Sequence, residues 1–261
     1  MKSPALLWTC ICRNISTTGP KLKEVPKGKD HSSHLWLKRQ FADPYVQKAK
    51  KENYRCRSAF KLLEIDSKIK FLRPGLKVLD CGAAPGSWSQ VAVKLVNSHG
   101  YDSKQPKGLV LSVDKLPIYP IDGAVVLSKC DFTQPDIQDR LVTILKDDKL
   151  DVVLSDMAPN ATGMREMDHD LITQLAIAVI RFAVTYSKPG ADCLIKIWDG
   201  RNRPQLEESI TRFYSQVKIL KPPSSRSHSA ELFLLGRGFK GLKSSSSQKS
   251  VPTDVPPVDP S

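Results

Sequence analysis

Asp80, Asp114, Asp131 and Asp156 each stand at or soon after the end of a short apolar run, and Lys196 sits inside another. The first run closes in Asp80-Cys81-Gly82-Ala83-Ala84-Pro85-Gly86-Ser87-Trp88. Two glycines and two alanines there let a ligand approach the backbone, and Ser87 is placed to cap a following helix. Asp114 can hydrogen-bond a ribose diol. Asp131, in Lys129-Cys130-Asp131-Phe132, can receive the exocyclic amine of an adenine. Asp156 leads Asp156-Met157-Ala158-Pro159-Asn160, and Lys196 lies among Leu194, Ile195 and Ile197. A lysine in such a strand is costly unless it has a partner or a task, and a structural ion pair is the plainer of the two readings. Taken singly the features are weak: glycine turns follow strands in many folds, and Asp156 alone could be a helix cap.

The elements that must carry these residues alternate. Apolar runs at 76–80, 108–113, 124–127, 151–155, 191–197, 217–220 and 231–235 predict seven strands. Helical spacing follows at 87–96, at Leu171, Leu175, Val179 and Phe182, and at 205–214, with Lys188-Pro189-Gly190 as a stop. Alternation with nearly continuous apolar strands means a parallel sheet covered on both faces, an α/β doubly wound architecture. The segment between the last two strands, Lys221-Pro222-Pro223-Ser224-Ser225-Arg226, contains no helix, so the last strand is expected to be antiparallel. Residues 97–107 read as a polar surface loop. In such sheets ligands bind beyond the carboxyl ends of the strands, which is where the acids fall.

Of 261 residues, 40% are hydrophobic and 26% charged, enough for a core and against disorder of the whole chain. No run approaches the roughly 20 apolar residues of a spanning helix. Forty Lys and Arg against 27 Asp and Glu leave +13, which points to an anionic partner. The excess is concentrated: residues 38–73 hold eleven basic side chains against four acids, with Tyr45, Tyr54 and Phe60 interleaved as possible stacking faces. We read this stretch as a platform for phosphates, the bland alternative being a solvated basic helix. Arg201, Arg203 and Ser225-Arg226-Ser227-His228 are expected at the same mouth. The six cysteines include no Cys-x-x-Cys pair and no histidine at ligand spacing, so free thiols and no metal site are expected.

The segments Ser58-Ala59-Phe60-Lys61-Leu62-Leu63-Glu64, Leu79-Asp80-Cys81-Gly82-Ala83-Ala84-Pro85-Gly86-Ser87-Trp88-Ser89-Gln90 and Ser155-Asp156-Met157-Ala158-Pro159-Asn160 resemble the FtsJ/RrmJ family of RNA ribose 2′-O-methyltransferases. The resemblance runs in consistent order over 35–240 and is completed by Lys196 and by Glu231 in Ser229-Ala230-Glu231-Leu232-Phe233. It implies a Rossmann-like methyltransferase fold and a Lys–Asp–Lys–Glu tetrad of Lys61, Asp156, Lys196 and Glu231. It also implies S-adenosyl-L-methionine as cofactor, held by Gly82, Ala83, Ala84, Pro85, Gly86, Ser87, Trp88, Asp114, Asp131 and Asp156. The implied substrate is a uridine of large-subunit ribosomal RNA, free or in a ribosomal particle, modified by a monomer. Two departures stand out: Ser87 replaces a glycine of the bacterial pattern, and Lys115 follows the ribose-binding acid.

The reaction suits the residues. Methyl transfer to a ribose hydroxyl is an in-line displacement that needs alignment and a base. A lysine serves as base only where its surroundings disfavour the ammonium form, as burial and a second cation do. Lys196 is expected as that base, Lys61 to orient the hydroxyl, and Asp156 and Glu231 to hold the lysines. A nicotinamide-dependent dehydrogenase would share the glycine turn, but the Gly-x-Gly-x-x-Gly fingerprint is absent. An RNA-binding assembly factor without catalysis is the rival from another class, and it would not call for a buried lysine.

The two ends read differently. Residues 1–34 are basic and hydroxyl-rich, with no acid before Glu24, the composition of a mitochondrial targeting segment, and the resemblance is strongest with the mitochondrial branch of the family. A matrix location follows as the expectation. Residues 241–261, with four consecutive serines and several prolines, read as a disordered tail.

Overall fold

The computed structural model describes residues 43–160 and 162–242, so the targeting segment, residues 35–42 and nearly all of the tail lie outside the described part. In chain order the elements are α1 (Pro44–Lys51), α2 (Ala59–Ile69), β1 (Lys77–Cys81), α3 (Ser87–Leu95), β2 (Leu109–Asp114), β3 (Ala124–Ser128) and α4 (Pro135–Leu145). Then come β4 (Leu150–Ser155), α5 (Arg165–Tyr186), β5 (Ser187–Trp198), α6 (Arg203–Thr211), β6 (Tyr214–Leu220) and β7 (Glu231–Phe239).

The strands pair in the order β3-β2-β1-β4-β5-β7-β6. All neighbours are parallel except β7, which runs antiparallel to both β5 and β6. The reversed strand follows from its connection, because the helix-free loop 221–230 is too short for a parallel crossover. Side chains alternate between two cores. Val78, Val110, Val152, Leu154, Leu194 and Phe233 face α2 and α3, while Leu79, Leu111, Val153, Cys193, Ile195 and Leu234 face α4, α5 and α6. Both faces being buried is why these strands read as unbroken apolar runs.

Several boundaries differ from the sequence reading. α5 ends at Tyr186, and Lys188-Pro189-Gly190 lies within β5, where a register shift between Leu150 and Val152 of β4 absorbs the irregularity. The buried face of α5 runs through Ile172, Ala176, Val179, Ile180 and Ala183, with Leu171 and Leu175 only half-buried. α6 stops at Thr211, and Tyr214 already belongs to β6. α4 was not anticipated as an element, although Ile137, Leu141 and Leu145 recur at helical spacing and are buried. The 97–107 loop is organised from inside: the Asn97 amide donates to the carbonyls of Asp102 at 2.8 Å and Gln105 at 3.2 Å. Cys81, Cys130 and Cys193 are buried free thiols and Cys56 is half-buried. No described helix is long and apolar enough to cross a membrane.

Candidate active site

The sheet register brings the critical residues together. Ser155 of β4 lies opposite Cys81 of β1 on one side and Ile195 of β5 on the other, so Asp156 and Lys196 both stand one residue further. Lys196 is paired with Phe233 of β7, and Trp198 with Glu231, which puts Glu231 two residues from Phe233 on the same face as Lys196. Lys61 reaches this point from α2. The Lys196 Nζ donates to the Asp156 carbonyl at 2.6 Å and lies 3.0 Å from Asp156 Oδ1. The Lys61 Nζ donates to Glu231 Oε2 at 2.7 Å and stands 3.9 Å from the same Asp156 oxygen. Below them the Phe233 ring packs on Trp88, centroids 5.6 Å apart.

Four charged groups, each largely buried, balance one another. Burial opposes ionisation of Asp156, but Lys196 and Lys61 outweigh it and hold the carboxyl below its ordinary range. Burial pulls the Lys61 ammonium down, but Asp156 and Glu231 outweigh it and hold its pKa above the ordinary lysine value. Lys61 is therefore a fixed cation. Breaking one member of such a set leaves an uncompensated buried charge, a cost of roughly 3–5 kcal/mol.

The glycine turn lies beside this cluster. Gly82 and Ala83 donate to the Val113 carbonyl at 2.9 and 3.1 Å. Asp114 accepts from the Ala84 amide at 2.9 Å and from Leu116 at 2.7 Å, which leaves each carboxylate oxygen a second lone pair. Its carbonyl accepts from Cys130 at 2.8 Å and so fixes Asp131, whose Oδ1 takes the Thr133 amide and hydroxyl at 2.9 and 2.7 Å. Gly82 has φ +77°, and a Cβ there would meet Met157 at 2.4 Å, so the turn packs directly on the chain leaving β4. Asp156 Oδ1 and Asp80 Oδ1 are buried without a directed hydrogen bond. A small-residue bed bordered by carboxylates fits a nucleoside carrying a cationic tail.

Ser87 and Trp88, both expected in this bed, have side chains that are buried and bonded within the protein. α3 begins on Gly86 and has no side-chain cap, so the capping expectation for Ser87 fails. Its hydroxyl instead bonds Ser58 Oγ at 2.7 Å and Cys56 Sγ at 3.0 Å. Trp88 is buried, its indole donating to the Ser58 carbonyl at 2.8 Å. Both bind α3 to α2. Arg55 was not anticipated. Its guanidinium donates to the carbonyls of Pro85 and Tyr119 at 2.8 Å and of Pro120 at 2.6 Å, tying the glycine turn to the loop after β2. Nothing in a lone arginine of a basic run signals such a clamp.

The basic segment is also divided. Phe60 is buried, with Tyr45 and Tyr54 packed on it at 5.6 and 5.9 Å, so these rings join α1 to α2 and Phe60 is no stacking face. Arg55, Arg57 and Lys61 are engaged within the molecule. Lys48, Lys50, Lys51, Lys68, Lys70 and Arg73 are exposed. Arg201 pairs with Asp170 at 3.1 Å, Arg203 with Asp199 at 2.8 Å, and Arg226 stands 3.9 Å from Asp43.

The FtsJ-like methyltransferase model matches residues 54–239, which span every strand and all four residues of the cluster. The chain belongs to the FtsJ-like methyltransferase family. Within it, the chain is 50% identical over 242 residues to the mitochondrial rRNA methyltransferase 2 of Drosophila melanogaster, covering 90% of this chain and 97% of that one. It is 41% identical over 215 residues to the ribosomal RNA large subunit methyltransferase E of Xanthobacter autotrophicus, covering 82% of each. A crystal structure from Plasmodium falciparum described as a ribosomal RNA methyltransferase superposes with a TM-score of 0.63 at 28% identity, over 72% of this chain and 100% of that one.

Proposed function

We propose that this protein is an rRNA (uridine-2′-O-)-methyltransferase, acting as a monomer on large-subunit ribosomal RNA or its ribosomal particle in the mitochondrial matrix, with a part in ribosome assembly. The observation that carries the reading is the shared carboxylate: Lys61 and Lys196 lie 3.9 and 3.0 Å from one Asp156 oxygen, with Glu231 closing on Lys61 at 2.7 Å. The bed of Gly82, Ala83, Ala84, Pro85 and Gly86, bordered by Asp114, Asp131 and Asp156, would hold S-adenosyl-L-methionine. When bound, that cofactor supplies a methyl group on a positively charged sulfur.

The chain's own residues supply the rest. Lys61, held charged by two carboxylates, donates to the ribose 2′-oxygen and orients it. A fixed cation is a poor base, which leaves Lys196 to take the hydroxyl proton as the oxygen–carbon bond forms. Asp156 holds both amines and Glu231 anchors Lys61. The exposed lysines of α1 and the α2 end grip phosphates. Residues 1–34 serve as targeting segment, 35–240 as the methyltransferase with its basic extension, and 241–261 as a tail.

The similarity to a mitochondrial rRNA methyltransferase over 97% of that protein's length supports the substrate and the compartment. The test is methyl transfer from S-adenosylmethionine to large-subunit rRNA, with the product mapped by 2′-O-methyl sequencing. A ribose methyl at one uridine, lost with Lys196→Ala, is the expected result. Methylation of a base, or none, contradicts it.

A further inference from the structure

Glu231 has a partner besides Lys61. The Ser225 hydroxyl donates to its Oε1 at 2.8 Å, leaving Oε2 for Lys61 at 2.7 Å. Ser225 is buried, in the loop between β6 and β7, and that loop is held from outside the sheet. The Ser224 amide donates to the α2 residue Glu64 at 2.8 Å, and the Ser224 carbonyl accepts from Arg57. Arg57 pairs in turn with Asp43, the N-cap of α1, and the other Glu64 oxygen accepts from the Tyr45 hydroxyl at 3.1 Å. Both main-chain groups of Ser224 are thus gripped by charged side chains, Glu64 of α2 and Arg57 of the turn between α1 and α2, and the next residue grips the carboxylate.

An ion pair to lysine leaves a glutamate poorly oriented, because the ammonium is a point charge with three rotatable donors and the carboxylate torsion is broad. A hydroxyl bound to the second oxygen removes that freedom. We propose that Ser225, seated by Glu64 and Arg57, is a positioning residue that fixes Glu231 Oε2 toward Lys61 during methyl transfer. This rests on the methyltransferase reading above.

The test uses the full chain with S-adenosylmethionine and large-subunit rRNA. Ser225→Ala lowers kcat about ten-fold, the scale of a hydrogen bond to a charged group, with KM for both substrates changed less than about two-fold. Ser225→Thr, which keeps the hydroxyl, recovers most of the rate. Adding Ser225→Ala to Glu231→Ala costs nothing further, since no carboxylate remains to be held. Should Ser225→Ala fail to fold, Glu64→Ala carries the same test: a loss of about three-fold in kcat that vanishes in the Glu231→Ala background. Losses that multiply in the double variant, or an unchanged kcat in the single ones, overturn the proposal. An inactive wild-type chain overturns the methyltransferase reading with it, whereas an active one indifferent to Ser225 overturns this inference alone.

Discussion

Lys61 and Lys196 approach the same oxygen, Asp156 Oδ1, from different layers of the fold, one from a helix above the sheet and the other from a central strand. The two amines are not equivalent. Lys61 has a second carboxylate of its own, whereas the directed hydrogen bond of Lys196 goes to a backbone carbonyl. That asymmetry is the basis for proposing Lys61 as a fixed cation and Lys196 as the base.

Lys196→Ala is therefore expected to lower methyl transfer by about 10²–10⁴-fold, the usual contribution of a positioned base. Cofactor affinity should change little, because Lys196 is not among the residues of the proposed cofactor bed. Calorimetry with S-adenosylmethionine beside a rate assay separates the two. An equal loss of affinity and rate would mean that Lys196 holds the cofactor.

Asp114→Ala removes the acceptor of two backbone amides, Ala84 and Leu116, along with the proposed ribose contact. Losing a hydrogen bond to a charged group costs roughly 1.5–3 kcal/mol, so the cofactor dissociation constant should rise about ten- to hundred-fold. An unchanged constant would take Asp114 out of the cofactor bed.

Gly86 has φ +114°, and a Cβ there would lie 2.6 Å from Ile121 and 2.7 Å from Arg55. Gly86→Ala should thus destabilise the fold itself by about 1–3 kcal/mol, a drop of several degrees in Tm for a domain of this size. The sequence reading gave this glycine to close passage of the cofactor; Ile121 and the Arg55 clamp crowd the same position from within the protein. A melting curve on cofactor-free protein decides, and an unaltered Tm would contradict the clamp.

What was legible follows from the physics of each feature. Strands buried on both faces leave runs such as Val152-Val153-Leu154 that no helix face requires, so the sheet and its reversed last strand could be read. Lys196 announced itself as a charge in such a run. Arg55 and Arg57 could not be read, because in a segment of eleven cations sequence alone does not tell which turn inward. The same ambiguity misassigned Phe60, which looks equally like a stacking face and a core residue. Of the expected α5 stripe, Val179 and Phe182 are buried, while Leu171 and Leu175 give way to Ile172 and Ala176, because both pairs repeat at helical spacing.

Asp80 is fully buried at the end of β1, and burial pushes its pKa up to about 7 against a Ser89 hydrogen bond that works the other way. A carboxyl raised on folding stabilises the native state fully below its unfolded pKa near ~3.9, and that stability is lost as pH rises toward 7. Asp80→Asn should remove this loss. Relative to wild type, the variant should gain roughly 2–3 kcal/mol between pH 5 and pH 8 in urea unfolding. A constant difference between the two proteins across that range would mean that Asp80 does not titrate there.

Lys48, Lys50 and Lys51 lie in the last turn of α1 and are exposed, whereas Arg55, Arg57 and Lys61 of the same basic segment are engaged within the molecule. Replacing all three with Gln removes positive charge without placing acids at a helix C-terminus, where the dipole would oppose them. Each phosphate contact contributes about −0.9 to the log–log dependence of RNA affinity on salt for duplex and about −0.7 for single strands, borrowing values measured on DNA. If all three lysines grip phosphates, the slope should lose roughly two to three units of magnitude, and affinity at low salt should fall with it. Cofactor binding should not move, since α1 contributes nothing to the glycine turn. RNA titrations of wild type and triple variant at several salt concentrations read the difference directly. An unaltered slope would return these lysines to a solvated helix face and shift the phosphate grip to Lys68, Lys70 and Arg73 at the far end of α2.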